Sequence, residues 1–285
     1  MRIGFRLVDV FAERPFEGNQ LCVVPETPRG LDPATMLALA REINLSETTF
    51  VMATRPDGYD VRIFTPDGEI PFAGHPTLGT AFVLASEGRT ATDVIQRCHA
   101  GDVPVTVDLE ARRASMRQLP PVFGLPVADR VSVARAAGLD ADDLIAELPV
   151  RSVSTGLPHL MVPVRDETTL RRAVRLHPTS DVCAANDVES LYLFAVRGDG
   201  DVMARMFDRG ERIGEDPATG SAAGPLGAYL SASGLAGMPG HVAMSQGELT
   251  GRPSVLLVDV SAAADSWVID VAGGVHVVGD GAFHI

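Results

Sequence analysis

The chain has few cysteines, few aromatic rings and too little positive charge for several common roles. Cys22, Cys98 and Cys183 are its three cysteines, an odd count with no Cys-x-x-Cys spacing. A disulfide framework is therefore not expected, and reduced structural thiols in a cytoplasmic protein fit best. Aromatic residues make up 5% of the chain, too few for base-stacking platforms. Lys and Arg total 24 against 37 Asp and Glu, a formal net charge of −13, so neither nucleic acid nor an anionic membrane is an expected partner. No run approaches the roughly 18 apolar residues needed to span a membrane. The opening Met1-Arg2-Ile3-Gly4-Phe5-Arg6 alternates like a strand and lacks the apolar block of a signal peptide. His99, His177, His241, His276 and His284 have no partners at ligand spacing, so no metal site is expected.

What is present is ample apolar content, 46% over 285 residues, which at about 150 residues per domain supports two cores. Alternating patterns predict strands at 3–10, 20–24, 49–54, 59–64 and 102–109. Asp32-Pro33 opens a helix whose apolar face is Met36, Leu37, Ala40 and Ile43. Leu119-Pro120-Pro121-Val122-Phe123-Gly124-Leu125-Pro126 breaks both periodicities and reads as a linker. Beyond it the pattern predicts short helices near 132–147 and 167–175 and strands near 190–197 and 202–207. A helix over 219–233 follows, then strands near 241–246, 254–260, 267–272 and 275–280.

The richest chemistry lies in Gly214-Glu215-Asp216-Pro217-Ala218-Thr219-Gly220-Ser221-Ala222-Ala223-Gly224-Pro225. Two acids lead into a Thr-Gly-Ser segment where a helix should begin. Free N–H groups at a helix start bind anions, and small residues let a ligand approach the backbone. An acid beside an anion pocket suits a substrate carrying both an amine and a carboxylate. Asp32-Pro33-Ala34-Thr35 has the same four letters before an ordinary amphipathic helix, so Asp216 also reads as an N-cap with Pro at N1. A second stretch, Phe64 to Ala81, again runs from a strand through a polar turn into Gly74-His75-Pro76-Thr77. Gly74 and Gly220 lie 146 residues apart, half the chain, which predicts two related lobes aiming helix starts at a shared cleft.

Several further blocks occur in order: Val8-Asp9-Val10-Phe11 with Gly18-Asn19, Asn44-Leu45-Ser46-Glu47-Thr48-Thr49-Phe50-Val51, Ser154-Thr155-Gly156-Leu157-Pro158-His159, and Gln246-Gly247 with Gly251-Arg252-Pro253-Ser254. With the two stretches above, they make the chain resemble the PhzF-like family, named for the isomerase of phenazine biosynthesis, within the diaminopimelate epimerase-like fold. The resemblance implies an α+β fold of two similar lobes, each a sheet wrapped around a central helix, with the active site in the cleft between them. One lobe would be 1–118 joined by the segment 271–285, and the other 119–270. It also implies a homodimer and a cofactor-free isomerase acting on a small-molecule carboxylate, trans-2,3-dihydro-3-hydroxyanthranilate.

By the same resemblance, Glu47 is the general acid/base. From the residues alone it is a polar side chain at an element boundary, where a solvated carboxylate is the default. His75 and Asp216 join it as catalytic residues, His75 donating to a carboxylate or polarising a ring substituent and Asp216 holding an amine or assisting proton delivery. Gly74, Gly220 and Ser221 would bind the substrate carboxylate, with Asn19 and Ser46 as polar liners. His159 reads equally as structural or as pocket wall, and Glu69 as a residue orienting a neighbouring loop. Related epimerases and racemases use one cysteine before each helix start. Here those neighbourhoods hold Ala73 and Pro217, which points to one carboxylate moving a proton on one face. Two other readings stay open: an isomerase of this type acting on another small amino or cyclic carboxylic acid, and a non-catalytic dimeric binding protein.

Overall fold

In the computed structural model, which describes all residues except 199, 211–213 and 264–265, the expected first strands form. They are β1 (Arg2–Val10) and β2 (Asn19–Val24), paired antiparallel with Val8 opposite Leu21. Helix α1 (Pro33–Ile43) begins where Asp32 Oδ1 accepts the Thr35 N–H at 3.0 Å and ends at Asn44 in the left-handed region. It buries Met36, Leu39 and Ala40 against Ile3, Val24, Phe50 and Phe64.

Next come β3 (Glu47–Arg55), β4 (Gly58–Phe64), the two-residue β5 (Glu69–Ile70), α2 (Gly74–Ser86), β6 (Asp93–Cys98), β7 (Gly101–Asp108) and β8 (Arg113–Gln118). β3 runs parallel to β2 and antiparallel to β4, which takes β5 antiparallel and β6 parallel. β6, β7 and β8 continue antiparallel. Twelve of the thirteen α2 residues, Gly74 to Ala85, are buried, because Ala, Gly, Thr and Leu line every face. A helix apolar all round has to be enclosed. Gly79 permits this: a Cβ there would sit 2.6 Å from Leu21 Cδ2 and 2.8 Å from Val10 Cγ2. Met1–Arg117 and Ala272–Ile285 make up this unit.

Gln118–Val271 form the second unit. Its elements are β9 (Val122–Pro126), α3 (Arg130–Ala136), β10 (Arg151–Ser154), β11 (Pro158–Pro163), α4 (Glu167–Arg172), α5 (Pro178–Asn186), β12 (Ser190–Val196), β13 (Val202–Asp208), β14 (Glu215–Asp216), α6 (Gly220–Ala232), β15 (Gly240–Gln246) and β16 (Ser254–Ala263). The last strand, β17 (Ser266–His284), starts in this unit, and its later residues pair antiparallel with β1, from Val275 opposite Val10 to His284 opposite Arg2. β9 stands where a linker was expected. Its Pro and Gly are tolerated because it takes its pairing from β10. Likewise, β17 is one strand where two were expected. Gly273 and Gly274 mark close approach to Phe11 and Ala12, not a turn. The helix expected over 132–147 stops at Ala136, and β6, β8, β10, β11 and α5 were not anticipated.

The two units repeat one topology. In the second, β12 is parallel to β11 and antiparallel to β13, which takes β14 antiparallel and β15 parallel, with β16 antiparallel to β15. That is the order of β2, β3, β4, β5, β6 and β7. Helix α6 has the length and the enclosed character of α2. The α+β class, with a central helix in each sheet-rich unit, is as expected. Among the described residues, no helix is long and apolar enough to cross a membrane.

Candidate active site

The two units share a sequence repeat as well as a topology. Gly68-Glu69-x-Pro71-x-x-Gly74 recurs as Gly214-Glu215-x-Pro217-x-x-Gly220, at the same interval of 146 residues. Each copy is fastened the same way. Arg62 on β4 grips Glu69 on β5 through two bonds of 2.7 and 2.5 Å and lies over the Phe64 ring at 5.3 Å. Arg205 on β13 grips Glu215 on β14 at 2.8 and 2.6 Å and lies over Phe207 at 4.9 Å. Such two-pronged pairs fix direction as well as distance. Glu69 thus holds the hairpin that leads into α2, and the Arg62 bonds keep its carboxyl below the usual range.

In the first unit, the hairpin delivers His75 to the second position of α2. Glu47 is the first residue of β3, beside Leu21 of β2. His75 Nε2 and Glu47 Oε2 stand 3.3 Å apart, with side chains 5% and 13% exposed. A solvated loop position for Glu47 is thereby corrected: the strand carries it inward. Ser46 donates its hydroxyl to Asn19 Oδ1 at 3.3 Å, so these two are joined directly before Glu47. Gly74 is the first residue of α2, and the N-cap, Ala73, provides no side-chain cap. Below the helix start, Tyr59 donates to Gln96 Oε1 at 3.0 Å, and Gln96 Nε2 donates to Thr77 Oγ1 at 2.7 Å. Asn19, Ser46, Glu47, Gly74 and His75 are therefore all brought to one end of α2.

The second unit gathers Asp216, Gly220 and Ser221 at the start of α6. Asp216 is not the N-cap that its Asp-Pro-Ala-Thr sequence allowed. The helix starts at Gly220 and its N-cap is Thr219, whose hydroxyl donates to Asp216 Oδ2 at 2.6 Å. In Asp32-Pro33-Ala34-Thr35 the helix instead begins at Pro33, so there the aspartate caps. The position matching Ala73 is consequently Thr219, not Pro217. Neither N-cap carries a thiol. Burial pushes the Cys22 and Cys183 thiols up to about 12, the state of inert structural cysteines.

Three residues complete this end of α6: Gln246 and Gln118, to which sequence reading gave no role, and His159, which it read equally as structural or as pocket wall. Gln246 donates to the Asp216 carbonyl at 2.8 Å and to Thr219 Oγ1 at 3.0 Å, and accepts from Tyr192 at 2.9 Å. Gln118 donates to the Gly220 carbonyl at 2.9 Å and accepts the Thr155 hydroxyl at 2.6 Å. His159 on β11 lies with Nδ1 2.8 Å from Ser190 Oγ and Nε2 3.1 Å from Ser221 Oγ. Burial pushes its imidazole down to about 3, so it is neutral. Gln246 and His159 sat inside blocks visible in the sequence. Gln118, beside the Pro-rich stretch, carried no signal. Among the described residues, no three His, Cys, Asp or Glu side chains are grouped to hold a metal ion.

The first unit thus offers a carboxylate beside an imidazole at the start of α2, and the second an acid beside backbone and hydroxyl donors at the start of α6. Residues 8–281 match the family model described as phenazine biosynthesis-like protein. A trans-2,3-dihydro-3-hydroxyanthranilate isomerase of Pseudomonas fluorescens is 33% identical over 275 residues, covering 95% of each chain. Among solved structures, a predicted epimerase of Pseudomonas aeruginosa superposes with a TM-score of 0.85 at 33% identity over 99% of both chains. A phenazine biosynthesis protein of the PhzF family from Bacillus anthracis gives 0.89 at 24% identity over the whole of both.

Proposed function

Because the chain belongs to the phenazine biosynthesis-like family, whose named relatives include isomerases, we propose that it is a cofactor-independent isomerase moving one proton within a small cyclic amino acid. The named substrate of its relatives, trans-2,3-dihydro-3-hydroxyanthranilate, is the specific reading. The observation that carries it is the largely enclosed Glu47 carboxylate 3.3 Å from the His75 imidazole. In this reading Glu47 takes the proton from ring C3, where the conjugated diene spreads the developing charge, and returns it at C1. That shift gives the C3 enol, which becomes the amino-ketone tautomer when its hydroxyl proton moves to C4, so no atom is gained or lost. His75 orients Glu47 and donates to the substrate. Asp216 holds the amine, and Gly74, Gly220 and Ser221 hold the carboxylate, with Asn19 and Ser46 lining the pocket. Fixing the ring against one carboxylate supplies much of the rate by proximity.

This reading requires the two helix starts to converge on one ligand. A crystal structure with 3-hydroxyanthranilate would overturn it if Glu47 and Ser221 contacted no common molecule. Glu47→Gln should keep ligand affinity and lose about 10²–10⁴-fold in turnover, the worth of a positioned acid/base. Unchanged turnover removes Glu47 from the reaction. Wild-type protein that binds trans-2,3-dihydro-3-hydroxyanthranilate without converting it favours another small amino or cyclic carboxylic acid. The reading also includes a homodimer, checked by sedimentation.

A further inference from the structure

The chain of contacts Ser190–His159–Ser221 carries a proton inventory that the functional reading leaves open. Ser190, the first residue of β12, is fully buried. Among the described residues its hydroxyl has one hydrogen-bond partner, His159 Nδ1 at 2.8 Å. A buried hydroxyl hydrogen with no acceptor is costly and rare, so Ser190 donates to Nδ1. A neutral imidazole has one hydrogen, and with Nδ1 accepting, it lies on Nε2. Nε2–H therefore donates to Ser221 Oγ at 3.1 Å. Ser221, only partly buried, keeps its own hydrogen for something outside this chain of contacts. The opposite reading of the same pair, a serine nucleophile deprotonated by histidine, fails because Nε2 already holds a hydrogen.

Resting on the functional reading above, we infer that His159 is a positioning residue that fixes the Ser221 hydroxyl as a donor toward the substrate carboxylate. The device supplies direction without charge. Burial keeps the ring neutral, and a hydroxyl held this way donates to a carboxylate oxygen while offering less to an ammonium group. The first unit treats the matching helix position differently. There His75 is faced by Glu47, the first residue of β3 as Ser190 is of β12. The repeat thus sets a proton-moving pair at one helix start and a proton-locked chain at the other.

The test begins with ¹⁵N-labelled wild-type protein and no ligand, with the His159 resonances assigned by their loss in His159→Gln. The expected long-range ¹H–¹⁵N spectrum shows a pyrrole-type Nε2 and a pyridine-type Nδ1 at neutral pH. The reverse pattern, or two pyrrole-type nitrogens, overturns the inference. In a second arm, Ser190→Ala should release the tautomer and weaken 3-hydroxyanthranilate binding about five- to tenfold, the worth of one hydrogen bond. Ser221→Ala should do the same, with no further loss in the double variant, and Ser190→Thr should restore the wild-type spectrum. Ser190→Ala binding as tightly as wild type also overturns it. Failure of the wild-type protein to bind the probe counts against the functional reading, whereas the tautomer, read without ligand, decides the present inference.

Discussion

Acid should unfold this protein partly through one buried imidazole, and the size of the effect follows from the structure. His159 is 1% exposed, with no charged group among the described residues close enough to compensate a proton, and burial pushes it down to about 3 from an ordinary 6.5. On unfolding the ring regains its ordinary affinity. Below pH 6.5 the unfolded chain therefore binds a proton that the folded chain refuses. Stability is fully present above 6.5 and falls on acidification, by up to about 1.4 kcal/mol per pH unit, until pH 3. Between pH 7 and pH 5 the integrated loss is about 2 kcal/mol. His159→Gln keeps an amide able to reach both serines but cannot titrate. It should start less stable, by a constant offset, and lose about 2 kcal/mol less than wild type over that interval. Urea unfolding at both pH values measures this directly. The single tryptophan, Trp267, lies in the same unit as His159 and against Phe123, so its fluorescence reports the relevant transition. Equal losses in the two proteins would refute the reasoning, since the folded ring would then be taking up the proton.

Two further outcomes follow. Arg205 is 6% exposed and bonds the carbonyls of Leu170 and Ala173 as well as Glu215, so Arg205→Ala should cost about 3–5 kcal/mol in denaturant unfolding. Its counterpart Arg62, more exposed, should cost less on truncation, and the reverse ranking would contradict the argument. Brief treatment with iodoacetamide at pH 7.5 should leave Cys22 and Cys183 unmodified by mass spectrometry, because burial raises both thiols to about 12. Rapid labelling of either would mean that its surroundings are open.

The strands that sequence reading found are those whose inward positions are apolar, such as β4, with Tyr59, Val61 and Ile63 buried. Of those it missed, β11 buries the apolar Leu160, Met161 and Val162, whereas β6, β8 and β10 place polar or small groups inward. In β6 the inward positions are Val94 and Gln96, and Gln96 is fully buried because Tyr59 and Thr77 satisfy it. β8 turns Ala114, Met116 and Gln118 inward, and β10 has a single buried apolar residue, Val153. Hydrophobic periodicity cannot register a glutamine whose partners, Tyr59 of β4 and Thr77 of α2, lie far from it in the sequence. Both helix starts were legible because Gly-His and Gly-Ser stand out against apolar helices. The duplication was only half legible: the Gly-Glu-x-Pro-x-x-Gly repeat is visible in the letters, but its Arg fasteners lie at unequal distances, 7 residues before Glu69 and 10 before Glu215. Asp216 misled for a related reason, since four letters do not say at which residue the helix begins.

The pairing of β17 with β1 fixes an order of events during synthesis. Every hydrogen bond between them, from Val10 with Val275 to Arg2 with His284, waits for residues made after the whole of Gln118–Val271. At about 5–20 residues per second, a ribosome spends roughly 8–30 s on those 154 residues. Through that interval β1 lacks the neighbour that covers one of its edges, and such an edge is a template for pairing with other chains. The second unit, by contrast, holds all its own strands by the time residue 271 is made. Of the two units, the one whose first strand is translated earlier is therefore completed later, and the nascent chain passes through a stage in which β1 has an open edge.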